Sequence, residues 1–187
     1  MMRLVPDALV HAALGEYGLY FVYSLDLTTA APVDDDRYTL RTVGRQDLAC
    51  ANDTGMRDQA WYDGEGAYGF GLYDGTELLA VQWFWYGVRY ASRNFWPLNE
   101  REAKSVQLYT VPYARGRGLA TLLKRRSALV MRDLGYVRLY SRIWHSHLSS
   151  IAVSERAGWR RIALVAELQP FGLGRPRRVI LRRFTAT

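Results

Sequence analysis

The segment Val-Pro-Tyr-Ala-Arg-Gly-Arg-Gly-Leu-Ala, residues 111–120, constrains the fold more than any other part of this chain. It joins a predicted strand, residues 105–111, to a predicted helix that begins near Gly118. Two glycines one residue apart let the backbone approach a ligand closely, and the first turn of a helix leaves N–H groups unpaired at the positive end of its dipole. The segment therefore predicts a phosphate-binding loop at a strand–helix junction.

The length and composition predict one folded domain. The chain has 187 residues, of which 49% are hydrophobic, and this is enough for a sizeable core. We assign residues 1–36 to an N-terminal extension packed on the domain and residues 37–187 to the domain itself. The single cysteine, Cys50, excludes an internal disulfide and a multi-cysteine zinc site, and we interpret it as a buried, inert thiol. No apolar run approaches the roughly 20 residues of a membrane span. We expect a soluble, cytoplasmic protein without membrane contact.

The formal charge of +7 favours an anionic partner without selecting one. Nucleic acid, an acidic carrier protein and a polyanionic cofactor are all compatible with a sequence pI near 9.7. Basic residues concentrate at Lys124–Arg126, Arg160–Arg161 and residues 175–183. We interpret most of these runs as solvated faces.

The hydrophobic pattern alternates strands with helices along most of the chain. Asp74-Gly75 predicts a tight hairpin, Gly135 and Gly158 predict helix ends, and Ser146 predicts the N-cap of the later helix. In the helix after Gly118 the apolar stripe faces the sheet, so Lys124 is expected to face away from it. Strands are predicted at residues 18–25, 38–43, 68–73, 77–86, 105–111, 137–143, 159–168 and 177–184, and helices at residues 7–14, 46–61, 118–134 and 147–157.

Two motifs resemble those of one enzyme superfamily. Arg-Gly-Arg-Gly-Leu-Ala, residues 115–120, fits the signature Arg/Gln-x-x-Gly-x-Gly/Ala and resembles the acyl-CoA loop of the GNAT superfamily of N-acetyltransferases. Residues 147–159 resemble the superfamily's later motif, which ends in glycine and an aromatic residue, and the order of elements over residues 38–184 also matches. The resemblance implies an α/β fold with a GNAT-like mixed, mostly antiparallel twisted sheet of about seven strands, helices on both faces and a splayed central strand pair.

The resemblance also implies acetyl-CoA or another acyl-CoA as co-substrate. Its pantetheine arm would pair with the strand before the loop as an added strand does, and its pyrophosphate would bind the loop amides. The arm would meet the backbone of Leu108, Tyr109, Thr110 and Val111, and the pyrophosphate that of Arg115, Gly116, Arg117, Gly118, Leu119 and Ala120. Because this recognition is mainly through the main chain, a bulky residue at Gly118 should weaken co-substrate binding more than substitution of Arg115 or Arg117.

The catalytic residues depart from the superfamily pattern. Ser154 stands where many relatives carry the tyrosine that protonates the CoA thiolate, and residues 106–109 lack the glutamate that many relatives use as a base. The candidates that remain are His147, His145, Ser154 and Glu102, with Glu100 as a further base. A histidine titrates in the useful pH range. Two alternatives stay open: the histidines cap the helix or orient the loop, and Ser154 faces the helix exterior. The histidines lack a third ligand, so no metal site is predicted.

The leading hypothesis is acetyl transfer from acetyl-CoA to a primary amine by direct attack in a ternary complex, with a small-molecule amine or a peptide as acceptor. Alternatives are an acyltransferase that takes a longer chain or uses an acyl carrier protein docked on the basic helix around residues 124–126, and a non-catalytic acyl-CoA sensor. Nucleic-acid binding through arginine and aromatic residues has the least support. The sequence does not identify the acceptor or the oligomeric state, a homodimer included.

Overall fold

The computed structural model describes residues 16–33, 35, 37–91, 94–169 and 176–184, in which eight strands form one sheet. The strand order is β2-β3-β4-β5-β6-β1-β7-β8; β5 and β6 are parallel, and all other neighbours are antiparallel. The strands are β1 (Glu16–Asp26), β2 (Thr39–Thr42), β3 (Ala67–Asp74), β4 (Glu77–Trp85), β5 (Glu102–Thr110), β6 (Arg138–Trp144), β7 (Arg160–Gln169) and β8 (Arg177–Arg183). The α-helices are α1 (Arg45–Ala49), α2 (Thr54–Asp58), α3 (Gly87–Ala91), α4 (Leu119–Asp133) and α5 (Leu148–Arg156). Short 3-10 helices span Leu27–Thr29, Gln59–Tyr62 and Pro112–Ala114.

This architecture confirms the predicted fold class, with eight strands in place of about seven. Residues 16–26, which the sequence analysis assigned to an extension, form β1, which lies between β6 and β7. Tyr20, Val22 and Tyr23 of β1 are fully buried, so both faces of this strand are covered, as expected for a strand in the interior of the sheet. The predicted helix at residues 7–14 lies outside the described residues.

Helices cover both faces of the sheet. Gln82 of β4 hydrogen-bonds Ser127 of α4, which places its side chain on the α4 face. The next residue, Trp83, pairs with Gln107 of β5, whose amide reaches Gln59 beyond α2. Because successive strand residues point to opposite faces, α4 and the segment that contains α2 lie on opposite sides of the sheet. None of the described helices is long and apolar enough to cross a membrane.

The parallel pair in the middle of the sheet separates halfway along. β5 and β6 pair from Glu102–Arg138 to Ser105–Ser141, and no pairing continues beyond these residues. A bulge at this point shifts the register between β5 and β4. A bulge bends a strand and increases its twist. The splayed central strand pair is thereby confirmed, and one edge of β5 is left open after Ser105.

Lys124 corrects one prediction about α4. Its side chain was expected to face away from the sheet, but the residue is 2% exposed and its Nζ lies 4.1 Å from the centre of the Trp159 ring. The apolar stripe is wider than the sequence indicated because α5 and Trp159 pack beside α4 in addition to the sheet. Cys50 is a second correction, since this residue follows α1 and is exposed rather than buried.

A buried polar bridge links α4 to the point where β5 and β6 separate. The Gln82 Nε2 donates to Ser105 Oγ at 3.1 Å, and Ser127 Oγ donates to Gln82 Oε1 at 3.1 Å. Gln82 is fully buried. A buried amide with both ends bonded fixes the helix against the strand, since any shift of either element leaves a polar group unpaired.

Replacing Gln82 with leucine is expected to lower the free energy of unfolding by about 2–3 kcal/mol, because Ser105 loses its donor in a buried site and Ser127 keeps only its 3.4 Å bond to Lys124 O. Urea denaturation measures this change. The same substitution at Gln46, which is exposed on α1, serves as the matched control. Equal stability of the two variants would contradict a structural role for the bridge.

Candidate functional site

The loop between β5 and α4 has the backbone conformation that its two glycines permit. Gly116 has φ 79° and Gly118 has φ 80°, both in the left-handed region that other residues adopt rarely. A Cβ at either position would meet nothing within 4 Å, so conformation rather than space requires glycine here. We call residues 115–120 the glycine loop. Both of its glycines face open solvent, with room for a ligand against the backbone.

The N-terminus of α4 has no cap of its own. Gly118 occupies the N-cap position without a side chain to bond the first turn, and the first turn contains no acidic residue. The first amide to find a helical acceptor is that of Leu122, which donates to Gly118 O at 3.0 Å. The N–H groups of residues 119–121 therefore lie ahead of the helical ladder, at the positive end of the dipole. This arrangement suits an anion such as a phosphate.

The two loop arginines brace the loop and add positive charge to it. Arg115 Nε donates to Thr110 O at 3.1 Å, and Arg117 Nη2 donates to Tyr113 O at 3.2 Å. Both residues are exposed, and the remaining guanidinium donors stay at the surface. Leu119, in contrast, is 2% exposed and joins the core, where it anchors the start of α4.

The open edge of β5 leads directly to the glycine loop. Val111 N–H donates to Leu79 O at 3.0 Å, next to the antiparallel ladder that pairs Tyr109 with Val81. In such a ladder, alternate residues direct their backbone groups to opposite edges. The N–H and C=O groups of Leu108 and Thr110 therefore point toward the gap that β6 leaves. An extended chain can pair with this edge as an added strand.

A carboxylate from a distant segment reaches this part of β5. Tyr109 Oη donates to Asp53 Oδ1 at 2.7 Å, and the same oxygen accepts the Met56 N–H at 2.7 Å. The contact depends on Gly55, because a Cβ there would lie 2.3 Å from Tyr109 Oη. Burial raises the pKa of Tyr109, and the hydrogen bond to Asp53 raises it further, so the phenol stays protonated at neutral pH. Sequence reasoning missed Asp53, whose only local signal is its position as the N-cap of α2.

His145 and His147 follow the end of β6 and are both exposed. His145 is held at β1, where its backbone N–H donates to Leu19 O at 3.0 Å and its Nδ1 lies 3.0 Å from the same oxygen. His147, rather than the predicted Ser146, is the N-cap residue of α5, although its side chain makes no capping hydrogen bond. Because β5 and β6 are parallel, their C-terminal ends point toward the same end of the sheet.

Ser154 and Glu102 occupy different environments. Ser154 is 1% exposed, so the alternative in which it faces the helix exterior is wrong. Glu102 begins β5, eight residues and about 26 Å of strand away from Thr110. Its carboxylate accepts the Asn99 N–H at 2.9 Å and the Tyr140 hydroxyl at 3.3 Å, and it lies 3.9 Å from Arg138. Glu102 therefore lies far from the glycine loop. Its carboxylate is surrounded by hydrogen-bonding and charged partners at the end of β5 that is paired with β6.

Two cavities of about 1240 and 600 Å³ lie elsewhere on the protein, and no residue of the glycine loop lines either of them. The larger contains Trp159 and Arg125, and the smaller contains Tyr68, Tyr86 and Tyr136. Within the described ranges, no three His, Cys, Asp or Glu residues come together as a metal site would require. The candidate site is the gap between β5 and β6 after Ser105 and Ser141, which leads to the glycine loop; we call this gap the groove.

Solved structures share this fold at low sequence identity. An acetyltransferase of the GNAT family from Colwellia psychrerythraea superposes with a TM-score of 0.60 at 14% identity, covering 87% of this chain and 60% of that one. A putative GNAT-family acetyltransferase from Novosphingobium aromaticivorans gives a TM-score of 0.59 at 20% identity, covering 83% of this chain and 65% of that one. The ribosomal-protein-S18-alanine N-acetyltransferase from Escherichia coli gives a TM-score of 0.52 at 18% identity, covering 68% of this chain and 80% of that one.

No family model and no curated protein sequence matches this chain. The chain spans less than two thirds of the length of the two GNAT-family structures named first. The mixed, mostly antiparallel sheet, the splayed parallel pair and the helices on both faces are the features that the sequence motifs implied, whereas the position of β1 between β6 and β7 is not. By its architecture, therefore, this chain has the fold of the GNAT N-acetyltransferases.

Proposed function

We propose that this protein is an acyl-CoA-dependent N-acyltransferase that moves an acetyl group from acetyl-CoA to a primary amine by direct attack in a ternary complex. The observation that carries the proposal is the uncapped N-terminus of α4, preceded by Gly118 at φ 80° and adjoining the open edge of β5. A donor with a diphosphate and an extended amide-containing arm complements both features.

The glycine loop would hold the diphosphate through main-chain N–H groups, with Arg115 and Arg117 adding positive charge at the surface. The main-chain groups of Leu108 and the N–H of Thr110 would pair with the arm, since the Thr110 C=O already accepts Arg115 Nε. The co-substrate supplies the reactive thioester, and the protein supplies the orientation that brings it to the amine. These roles agree with the resemblance noted for residues 108–111 and 115–120.

In the reaction a neutral amine attacks the thioester carbonyl, so that a C–N bond forms and the C–S bond breaks. The ammonium form of the amine must first lose a proton, and the departing thiolate takes one up. His145 and His147 are proposed to receive the first proton, since both are exposed just after the end of β6, the strand that separates from β5. Ser154 is proposed to donate a hydrogen bond toward the thiolate, which a buried hydroxyl can do although it is a poor acid.

Titration calorimetry with acetyl-CoA tests the donor, and release of free thiol in the presence of primary amines tests transfer. We expect binding in the micromolar range and thiol release that depends on the amine. The amines should include a peptide whose N-terminal residue is alanine, because the Escherichia coli neighbour is named a ribosomal-protein-S18-alanine N-acetyltransferase. Absence of any acetyl-CoA binding would refute the proposal.

A non-catalytic acyl-CoA sensor is the second candidate. Ser154 stands where a stronger acid would be expected, and residues 106–110 contain no carboxylate. Acetyl-CoA binding without thiol release on any amine would favour this alternative. A carrier-protein donor has less support than the sequence suggested, because Lys124 is buried and Arg126 donates to Tyr38 O instead of projecting freely.

A further inference from the structure

Asp53 places a carboxylate at the Tyr109 hydroxyl, on the face of the sheet that α2 covers. The Arg115 guanidinium lies 5.9 Å from the centre of the Tyr109 ring. Asp53 is half-buried, and no Lys, Arg or His in the described ranges forms an ion pair with it. Its Oδ1 is occupied by the Tyr109 hydroxyl and the Met56 N–H, whereas its Oδ2 accepts no hydrogen bond from the described residues. A carboxylate held this way, with one oxygen fixed and the other open, has a defined orientation and a spare acceptor.

The neighbouring side chains direct their hydrogen bonds toward the segment that carries α2. Gln107 Nε2 donates to Gln59 Oε1 at 2.9 Å, and Gln59 Nε2 donates to Gly55 O at 2.6 Å. Gln59 Oε1 and Gly55 O are therefore both occupied, and Gln107 Oε1 is the oxygen of this group that accepts no hydrogen bond from the described residues. An ammonium ion carries donors only and is positively charged, so it complements oxygen acceptors next to a carboxylate.

Tyr109 places this carboxylate beside the path of the donor's arm. Tyr109 lies between Leu108 and Thr110, whose backbone groups point into the gap beyond Ser105. Its side chain lies on the face of the sheet that α2 covers, opposite α4. A group bound at Asp53 therefore lies on the α2 face of the sheet, beside the proposed path of the arm.

We infer that Asp53 is a specificity-determining residue that binds a second ammonium group of the acceptor, so that the preferred acceptors are diamines and other amines with an additional positive charge. This inference rests on the proposed function and adds the substrate class. The distal ammonium binds Asp53 Oδ2, and the other amine attacks the thioester. The Asp53–Tyr109 pair thus selects the acceptor, and neither residue needs to exchange a proton with it.

The experiment compares 1,4-diaminobutane with butylamine, which have the same carbon chain but differ in the second amine. Wild-type protein is expected to prefer the diamine in kcat/KM, and Asp53→Asn is expected to reduce kcat/KM for the diamine by about 30-fold while changing that for butylamine less than about threefold. Asparagine is as good an N-cap as aspartate, so α2 keeps its start. The matched control is Asp58→Asn, which removes the same charge from an exposed position in α2 and should behave as wild type.

Calorimetric titration of 1,4-diaminobutane, with and without CoA, provides a readout independent of turnover. Binding to wild type that is lost in Asp53→Asn and kept in Asp58→Asn supports the inference. The inference is overturned if wild type does not bind the diamine, if the two variants behave alike, or if Asp53→Asn affects both amines equally. Failure of acetyl-CoA to bind would instead count against the proposed function, and the titration without CoA would still report on Asp53.

Discussion

Replacing Gly118 with valine is expected to weaken acetyl-CoA binding by at least about 100-fold, which is roughly 3 kcal/mol. A β-branched residue is strongly disfavoured at φ 80°, so the backbone would leave the left-handed region and turn the amides of the first turn of α4 away from the ligand. Calorimetric titration of acetyl-CoA into the variant measures the loss. Arg115→Ala and Arg117→Ala should each weaken acetyl-CoA binding by less than about tenfold, because their charges are exposed and screened by solvent.

Gly135→Val is the matched control for Gly118→Val. Gly135 has φ 91° and open space around its missing Cβ, and it follows α4 at the end remote from the glycine loop. Both substitutions should therefore lower the free energy of unfolding by similar amounts, whereas only Gly118→Val should impair acetyl-CoA binding. If Gly135→Val weakens acetyl-CoA binding as much, the effect is general destabilisation and the main-chain recognition at residues 115–120 is refuted.

Lys124→Met is expected to stabilise the protein by about 3–5 kcal/mol at pH 6. Burial lowers the pKa of Lys124 from 10.5 to about 7, because its ammonium form loses water and, among the described residues, gains the face of Trp159 in return. Methionine has a similar length and fits an apolar site without the charge. Chemical denaturation of both proteins at pH 6 measures the difference.

The pH dependence of this effect has a definite sign. Between pH 7 and 10.5 the unfolded chain binds a proton at Lys124 that the folded protein has released, so the stability of the wild type rises with pH in this window. Below pH 7 both states are protonated and the full penalty persists. The advantage of Lys124→Met should therefore be constant below pH 7 and shrink as the pH rises toward 10. Arg45→Met, at an exposed position, should show no such trend. An advantage independent of pH would mean that Lys124 has the same pKa in the folded and the unfolded chain, so that burial does not lower it.

Local patterns predicted the parts of the fold that are local. The glycine loop, the hairpin at Asp74-Gly75 and the helix end at Gly135 each depend on a few adjacent residues whose conformational preferences are strong. The fold class came from the order of such elements and from the resemblance of two motifs. The position of β1 did not follow, because it depends on pairing with β6 and β7 from the other half of the chain.

The candidate site was predictable only where it is made of backbone. The glycine loop places its amides through its own sequence, but Asp53 meets Tyr109 across 56 positions and only because Gly55 leaves room for the ring. Lys124 is likewise buried by Trp159, which no periodicity within α4 can reveal. Glu102 was selected from its place on a strand, although tertiary partners occupy its carboxylate. Side chains that act across elements need the assembled sheet before their neighbours are known.

The location of β1 governs the order in which the molecule can assemble. Tyr20 pairs with Trp144 on one side and with Val165 on the other, so β1 has neither partner during synthesis until β6 and β7 have been made. Closing such long loops slows folding. Until they close, the backbone N–H and C=O groups on both edges of this apolar strand have no partner strand. Deleting the residues of β1 would therefore remove a strand from the interior of the sheet, and β6 and β7 would lose the strand that joins them. We expect the shortened protein to aggregate during synthesis.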